Sequence, residues 1–276
     1  MTRDELRDVA VRSGARRIGA LIIGDEILSG KRQDKHLVQL IGVLAARGLR
    51  LSWARYLGDD HDQLVDAFEQ SFGAADLVFS FGGIGATPDD MTRQAAAQAL
   101  GRPLLLHPEA ARLIAERCAD MAREGKGSAD MTVPENRQRL KMGEFPEGAA
   151  IIPNPYNRIP GFTVEEHWFV PGFPVMAWPM IEWVLDTHYR HLFHLDAMAD
   201  RSLRVFELAE SVVTPLLEAI EAEFPGIKVY SLPSVGDDGQ RRHIELGVKG
   251  AERLAETAFQ RLRLGVTALG AEFSDV

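Results

Sequence analysis

Short apolar runs alternate with longer amphipathic stretches along the first part of the chain. Residues 17–23, 49–57 and 76–81 are short and rich in aliphatic or aromatic side chains, which is typical of buried parallel strands. Residues 35–47 and 61–72 place apolar side chains three and four positions apart, which predicts helices with one buried face. Strands that alternate with helices predict an α/β fold built on a parallel sheet.

The same pattern predicts further elements and then changes near residue 196. Helices are predicted at 91–100, 108–123, 134–142 and 175–195, with a strand at 149–153 and two short strands within 162–170. Beyond that point the order is strand 202–208, helix 211–224, strand 227–232, strand 242–248 and helix 251–269. Residues 236–239 carry the signal of a hairpin turn. We therefore expect an α/β domain at 1–197 and a small α+β domain at 198–276.

Composition narrows the classes of partner. The 276 residues are 46% hydrophobic and 26% charged, with a net charge of −9, which is typical of globular proteins. An acidic chain without a long basic block argues against nucleic-acid binding. No apolar run approaches the roughly 20 residues of a membrane span, and the N-terminal segment lacks the apolar core of a signal peptide. The single Cys118 excludes an internal disulfide. We expect a cytoplasmic protein that acts on a small molecule.

A glycine-rich turn between strand 76–81 and the next helix is the strongest functional signal. Gly82, Gly83 and Gly85 have no Cβ, so the backbone can adopt positive φ and approach a ligand closely. Their N–H groups, with a helix N-terminus behind them, form a cradle for an anion. Thr87 adds a hydroxyl.

Two carboxylates, Asp89 and Asp90, follow this turn directly. Bare carboxylates repel a phosphate, so the combination predicts a divalent cation such as Mg²⁺. The alternative is a tight turn in which one Asp caps the helix. A cap needs only one carboxylate, which favours the ligand site. The turn is neither a Walker loop nor a dinucleotide fingerprint, because the residues and spacings of those motifs are missing.

A second acidic loop that contains glycine follows the first strand at residues 24–30. The carboxyl ends of parallel strands lie on one side of a sheet, so the two loops are expected to converge. This favours Asp25 and Glu26 as site residues. For Asp34, a site role and a cap of the next helix are both open.

Other polar positions carry weaker signals. Asp59 and Asp60 follow the second strand, where capping of the next helix is favoured over a site role. The Pro-Gly turns at 160–161 and 171–172 suggest rigid loops at the rim of a pocket. Three histidines spaced three apart on the predicted helix 175–195 favour a structural role over a metal site. They are His188, His191 and His194.

Two motifs resemble those of the competence/damage-inducible protein A (CinA) family. GDEILSG at 24–30 resembles its GDELLxG segment, and GGIGATPDDMT at 82–92 resembles its GGLGPTxDDLT motif. Segments 134–136, 153–154, 160–161 and 171–174 are similar to later segments of that family. Their order and spacing fit over residues 17–190, and the tail resembles the small α+β domain that follows in these proteins.

The resemblance implies a molybdopterin-binding fold of the MoaB/MogA type, with a mostly parallel sheet and helices on both faces. It implies metal-dependent hydrolysis of a nucleotide pyrophosphate such as ADP-ribose or FAD. The alternative is binding of molybdopterin or a nucleotide, or adenylyl transfer, without hydrolase activity. It also implies a homo-oligomer. Longer family members carry a nicotinamide mononucleotide deamidase domain that is not expected here.

The chain departs from the family pattern at the expected pocket rim. Ala86 stands where the motif has Pro, and His36 lies near the position where the family has Asn. The segments at 156–159 and 175–178 also differ from the family.

From these observations we assign expected roles. Catalysis is expected from Asp25, Glu26, Asp89 and Asp90, with Glu26 as the general base, and cation binding from Asp25, Asp34 and Asp90. Ligand contacts are expected from residues of the converging loops, namely Gly24, Ser29, Gly30, Gly82, Gly83, Gly85, Thr87, Asn154, Pro171 and Gly172.

Overall fold

A computed structural model describes residues 17–74, 76–195, 198–234, 236 and 241–276. The chain divides after Phe193 into two units. No helix in the described ranges is long and apolar enough to cross a bilayer.

The first unit is built on a six-stranded sheet with the order β2-β1-β3-β8-β7-β6. β2, β1, β3 and β8 are parallel, whereas β7 and β6 continue the sheet as antiparallel strands. Its strands are β1 (Ile18–Ile23), β2 (Trp53–Leu57), β3 (Leu77–Phe81), β6 (Ala150–Ile152), β7 (Gly161–Val164) and β8 (His167–Val170). β4 (Leu104–Leu106) and β5 (Glu144–Pro146) form a separate antiparallel pair.

Helices cover both faces of this sheet because successive residues of its strands point to opposite sides. Ala20 and Ile22 pack with one core cluster, while Leu21 and Ile23 pack with the other. The helices are α1 (Asp25–Leu28), α2 (His36–Ala45), α3 (His61–Gly73), α4 (Thr92–Leu100), α5 (Pro108–Arg123), α6 (Pro134–Leu140) and α7 (Pro174–His188). α2 and α7 belong to the first cluster, and α3 and α4 belong to the second. The predicted α/β fold with a mostly parallel sheet is confirmed.

The second unit is a four-stranded antiparallel sheet with the order β10-β11-β9-β12. Its elements are β9 (Met198–Phe206), α8 (Glu210–Glu223), β10 (Lys228–Ser234), β11 (His243–Ala251), α9 (Glu252–Ala268) and β12 (Phe273–Asp275). A core of its own joins residues such as Leu203, Leu246, Leu217 and Phe259.

Several element predictions need correction. Residues 24–30 are not only a loop, because they contain the short helix α1. The predicted helix 175–195 ends at His188, and a 3₁₀ turn (Arg190–Leu192) follows it. His188, His191 and His194 therefore do not share one helix face. β4, β5 and β12 were not predicted. The predicted turn at 236–239 lies outside the described residues except for Gly236.

Candidate functional site

Three loops meet at the carboxyl ends of β1, β3 and β8. The Gly82 N–H donates to the Val170 carbonyl at 3.0 Å. A Cβ on Gly82, where φ is +100°, would lie 2.3 Å from the carbonyl oxygen of Ile23. A Cβ on Gly172 would lie 3.4 Å from the Gly82 Cα. The close approach of these backbones explains why position 82 requires glycine.

Asp90 clamps the glycine-rich loop from inside. Its Oδ1 accepts from the Gly85 N–H at 2.8 Å. Its Oδ2 accepts from the Thr87 N–H at 2.9 Å and from the Thr87 hydroxyl at 2.5 Å. Both carboxylate oxygens are thus used within the loop. The structure gives Asp90 a role in holding the loop, which the sequence analysis did not predict.

The carbonyl oxygens of this loop accept hydrogen bonds from residues of α4 and α6. The Thr92 hydroxyl donates to Gly82 O at 3.1 Å, and the Thr92 N–H donates to Gly83 O at 3.0 Å. Arg93 Nη2 donates to Gly85 O at 2.6 Å, and Gln138 Nε2 donates to Ala86 O. Within the described part of the chain, the N–H groups of Gly83, Ile84 and Ala86 have no hydrogen-bond partner. These three donors are free to bind a ligand.

Arg93 is a buried base beneath the loop. Its side chain is only 3% exposed. Burial lowers the pKa of Arg93, and the negative charges of Asp90 and Glu144 oppose that shift. Arginine still keeps its charge in a protein, so a positive charge lies behind the free N–H groups.

The carboxylates of the first acidic loop pair with the loop after β2. The Asp25 N–H donates to Asp59 Oδ2 at 2.9 Å, and the Asp59 N–H donates to Asp25 Oδ1 at 3.2 Å. Asp60 instead caps α3, because its Oδ1 accepts from the Gln63 N–H at 2.9 Å. Capping was favoured for this acidic pair. The structure assigns that role to Asp60 and places Asp59 beside Asp25.

Negative charge is concentrated at this end of the sheet. Partial burial raises the pKa of Asp59, and the charges of Asp25, Glu26 and Asp89 raise it further. The pKa of exposed Asp89 is lowered, mainly through a hydrogen bond with the Thr87 side chain. Among the described residues, however, no group of three or more His, Cys, Asp or Glu side chains is arranged to hold a metal ion.

Asp34 caps the first turn of α2. Its carboxylate accepts from the His36 N–H at 2.8 Å and the Leu37 N–H at 3.2 Å. It also accepts from the Tyr56 hydroxyl at 2.8 Å. Partial burial, together with this hydrogen bond and the charge of Asp34, raises the pKa of Tyr56 to about 12. These hydrogen bonds to the first turn of α2 fit the capping alternative, and a role for Asp34 in the site stays a prediction.

A cavity of about 330 Å³ opens beside these loops. It lies between the segment that joins α1 to α2 and the turn that leads from β8 into α7. Of the two acidic residues in the first loop, Glu26 lines this cavity. Arg32 and Lys35 add positive charge to its wall. The lining residues are Glu26, Ile27, Arg32, Gln33, Asp34, Lys35, His36, Gly172, Phe173 and Pro174.

The remaining predicted ligand residues differ in their surroundings. Gly24 is buried, while Ser29 and Gly30 are exposed at the end of α1. Asn154 is buried, and its side-chain hydrogen bonds to described residues all lie within its own loop. Its Nδ2 donates to Asn157 Oδ1 and Ile159 O, and its Oδ1 accepts from the Tyr156 N–H. Asn154 therefore holds the shape of a rim loop. Its contact with a ligand stays a prediction.

The sequence analysis ranked some features of the site too low and missed others. For Asp59, a site role was considered from its place at the end of β2, but capping was favoured. His36 was noted only as a departure from a family motif. Arg93 and Gln138 carried no usable signal, because a polar residue in a helix reveals its partner only after the helices have packed.

Residues 19–191 match the family described as "Probable molybdopterin binding domain". The chain belongs to this family. The matched range covers the sheet of the first unit and the three loops at its edge.

Individual relatives of this molybdopterin-binding-domain protein are CinA-like. A CinA-like protein of Anaeromyxobacter sp. is 31% identical over 249 residues, which cover 83% of this chain and 58% of that protein. A CinA-like protein of Anaeromyxobacter dehalogenans is 36% identical over 170 residues, which cover 60% and 39% respectively. The chain thus spans about half the length of these relatives. The predicted resemblance to the CinA family is confirmed.

A solved structure agrees with this assignment. The crystal structure of the protein CinA from Thermoplasma acidophilum aligns with a TM-score of 0.52 at 25% identity, covering 62% of this chain and 98% of that one.

Proposed function

We propose that this protein binds the phosphate-bearing end of a pterin or nucleotide where the loops after β1, β3 and β8 meet. These loops, residues 24–34, 82–92 and 171–174, are here called the phosphate site. The observation that carries the proposal is the set of free N–H groups at Gly83, Ile84 and Ala86. Backbone N–H groups of this kind, placed before a helix N-terminus, bind phosphate oxygens. The clamp at Asp90 holds them in place before the ligand arrives.

The cavity next to the phosphate site is large enough for the rest of such a ligand. Pockets for small molecules commonly have volumes of about 300–1,000 Å³, and this one has about 330 Å³. Phe173 offers an exposed ring to a flat heterocycle, and Arg32 and Lys35 offer positive charge to further anionic groups. A pterin or nucleotide combines a flat ring with phosphate, as this site requires.

Calorimetry with pyrophosphate, ADP-ribose, FAD and a pterin phosphate tests the proposal directly. Gly83→Ala is the diagnostic variant, because φ is +67° and the new Cβ would lie 2.1 Å from Thr92 Oγ1. Gly101→Ala is the matched control, since φ is +62° there and the Cβ meets no atom within 4 Å. We expect Gly83→Ala to weaken binding at least about tenfold, the loss of roughly one charge-assisted hydrogen bond. Equal affinities in the two variants would contradict the proposal.

A second candidate function is hydrolysis of a nucleotide pyrophosphate. The observation that favours it is the group of carboxylates near the phosphate site, where Asp25, Glu26 and Asp89 raise the pKa of Asp59. Mg²⁺ is usually held by one or two carboxylates together with substrate phosphates, not by a complete protein cage. Asp25, whose Oδ2 accepts no hydrogen bond from the described residues, and the exposed Asp89 suit this arrangement. Both oxygens of Asp90 and of Asp34 already accept hydrogen bonds.

The chemical roles follow from this arrangement. A hard cation held by Asp25 and Asp89 would neutralise phosphate charge and lower the pKa of a water molecule. Glu26, half-buried on the wall of the cavity, is the proposed general base. The free N–H groups would hold the phosphate in place during attack.

Product analysis separates the two functions. The protein is incubated with ADP-ribose and with FAD in the presence of Mg²⁺, Mn²⁺ or Co²⁺, and again with EDTA. Hydrolysis predicts AMP release that requires the cation and falls about 100-fold or more in Asp25→Asn, as removal of a key electrostatic group does. Asp60→Asn, which changes only a helix cap, is the control. Binding without product would leave ligand binding or adenylyl transfer as the function.

A further inference from the structure

His36 is a buried ring that touches the edge of the phosphate site. It is 6% exposed and stacks on Phe81, with a centroid distance of 4.7 Å. Its Nε2 lies 3.1 Å from the carbonyl oxygen of Gly172. Through this contact, His36 connects the α2 helix to the loop after β8. His36 also lines the cavity of about 330 Å³.

The contact with Gly172 fixes the tautomer of His36. A backbone carbonyl only accepts hydrogen bonds, so Nε2 must carry the proton. Burial lowers the pKa of His36, which favours the neutral ring. In the neutral Nε2–H form, Nδ1 has no proton and is a hydrogen-bond acceptor.

His36 Nδ1 is buried and lacks a partner among the described residues. A proton on Nδ1 would place an unpaired positive charge in the core, which is costly. The burial of Nδ1 therefore favours the same neutral Nε2–H form as the contact with Gly172.

We propose that His36 is a positioning residue for the phosphate site. Its Nε2–H holds the Gly172 carbonyl, and stacking on Phe81 fixes the orientation of its ring. The effect on ligand binding rests on the function proposed above, whereas the hydrogen bonding of the ring does not.

Holding this carbonyl prepares a donor for the ligand. The Gly172–Phe173 peptide is planar and trans, so the Phe173 N–H points to the side opposite the Gly172 carbonyl. That N–H has no partner among the described residues. A peptide fixed by His36 therefore presents the Phe173 N–H in one orientation, at an exposed turn close to Gly82.

Nitrogen NMR on the complete chain with ¹⁵N-labelled histidine tests the ring without any ligand. We expect a proton on Nε2 of His36 and none on Nδ1, because the Gly172 carbonyl only accepts hydrogen bonds. An Nδ1–H tautomer would overturn the proposal.

A pair of side-chain variants tests the positioning role. In His36→Gln the side-chain NH₂ group lies nearly as far from the backbone as the histidine Nε2, so it can still donate to the Gly172 carbonyl. The side chain of His36→Asn is too short to do so. We expect the Phe173 backbone amide resonance to move in His36→Asn and to stay near its native position in His36→Gln. Equal shifts in the two variants would overturn the role, whether or not a ligand binds.

Pyrophosphate affinity gives the functional readout. His36→Asn should bind about tenfold more weakly and His36→Gln within about threefold of the unmodified protein, as expected for loss and retention of one hydrogen bond. Equal affinities in the two variants would contradict the positioning role. Failure of the unmodified protein to bind any phosphate ligand would instead count against the proposed function, and the amide shifts would still decide the role of His36.

Discussion

At the scale of single residues, Asp90 shows how one carboxylate can shape a ligand loop. It accepts hydrogen bonds from two backbone N–H groups and a hydroxyl. Asp90→Asn removes one acceptor and places an NH₂ group against a donor. We expect the free energy of unfolding to fall by about 1–3 kcal/mol, the usual cost of an unsatisfied polar group. Urea denaturation measures this loss.

The matched control for that prediction is the neighbouring carboxylate. Asp89→Asn leaves both backbone hydrogen bonds of the Asp90 clamp intact, and Asp89 is exposed. Its urea midpoint should stay close to that of the unmodified protein. If the two variants lose equal stability, Asp90 does not clamp the loop.

Asp59 gives a prediction about pH. Its pKa is raised in the folded protein by partial burial and by the charges of Asp25, Glu26 and Asp89. The folded state thus binds this proton more tightly than the unfolded state does, so stability falls as pH rises through the folded pKa. Asp59→Asn removes that loss. We expect the variant to melt at a higher temperature than the unmodified protein at pH 7, and the difference to shrink below about pH 4.

Thermal denaturation across this pH range needs a control that changes charge without changing the site. Asp60→Asn serves, because asparagine caps helices about as well as aspartate and Asp60 is exposed. A similar rise in melting temperature at pH 7 in both variants would mean that the lower net negative charge of the protein causes the effect, and not the pairing of Asp59 with Asp25.

At the scale of elements, the first turn of α2 depends on Asp34. The carboxylate accepts the N–H groups of His36 and Leu37, which no residue of the helix can accept. In Asp34→Ala we expect faster hydrogen exchange at those two amides and a loss of about 1 kcal/mol in stability. Gln33→Ala, at the exposed preceding residue, is the control. Unchanged exchange at His36 and Leu37 would contradict the cap.

The sequence predicted the sheet edge well because its signals are local. Apolar runs marked β1 and β3, and three glycines marked the turn at 82–85, where Gly82 and Gly83 adopt positive φ. Because parallel strands end on one side, the convergence of the two loops followed from topology alone. The strands β4 and β5 were missed, since a segment of three residues is too short to show a strand pattern.

The roles of individual carboxylates were harder to predict. Asp25 and Asp59 lie 34 positions apart, and their reciprocal hydrogen bonds depend on the pairing of β1 with β2. Asp90 was expected to bind a cation, but no local pattern indicates that its oxygens accept hydrogen bonds from its own loop. The sequence was enough to predict that carboxylates and glycines form the site. The hydrogen-bond partner of each carboxylate could be identified only from the packed structure.

At the scale of the whole molecule, the chain contains two units that each bury a core. The contacts described above for the phosphate site come from residues between 23 and 174, all of which belong to the first unit. The α/β core of this unit includes clusters on both faces of its sheet. A buried core of this extent is the main source of stability for a folded domain.

We therefore expect residues 1–193 to fold and bind ligand when expressed alone. The fragment should melt cooperatively by circular dichroism and bind pyrophosphate within about threefold of the full chain, a change smaller than one hydrogen bond. Gly83→Ala in the same fragment should lose binding as it does in the full chain, because the clash with Thr92 is internal to this unit. A fragment that melts cooperatively but does not bind, while the full chain binds, would show that residues 194–276 contribute to the site.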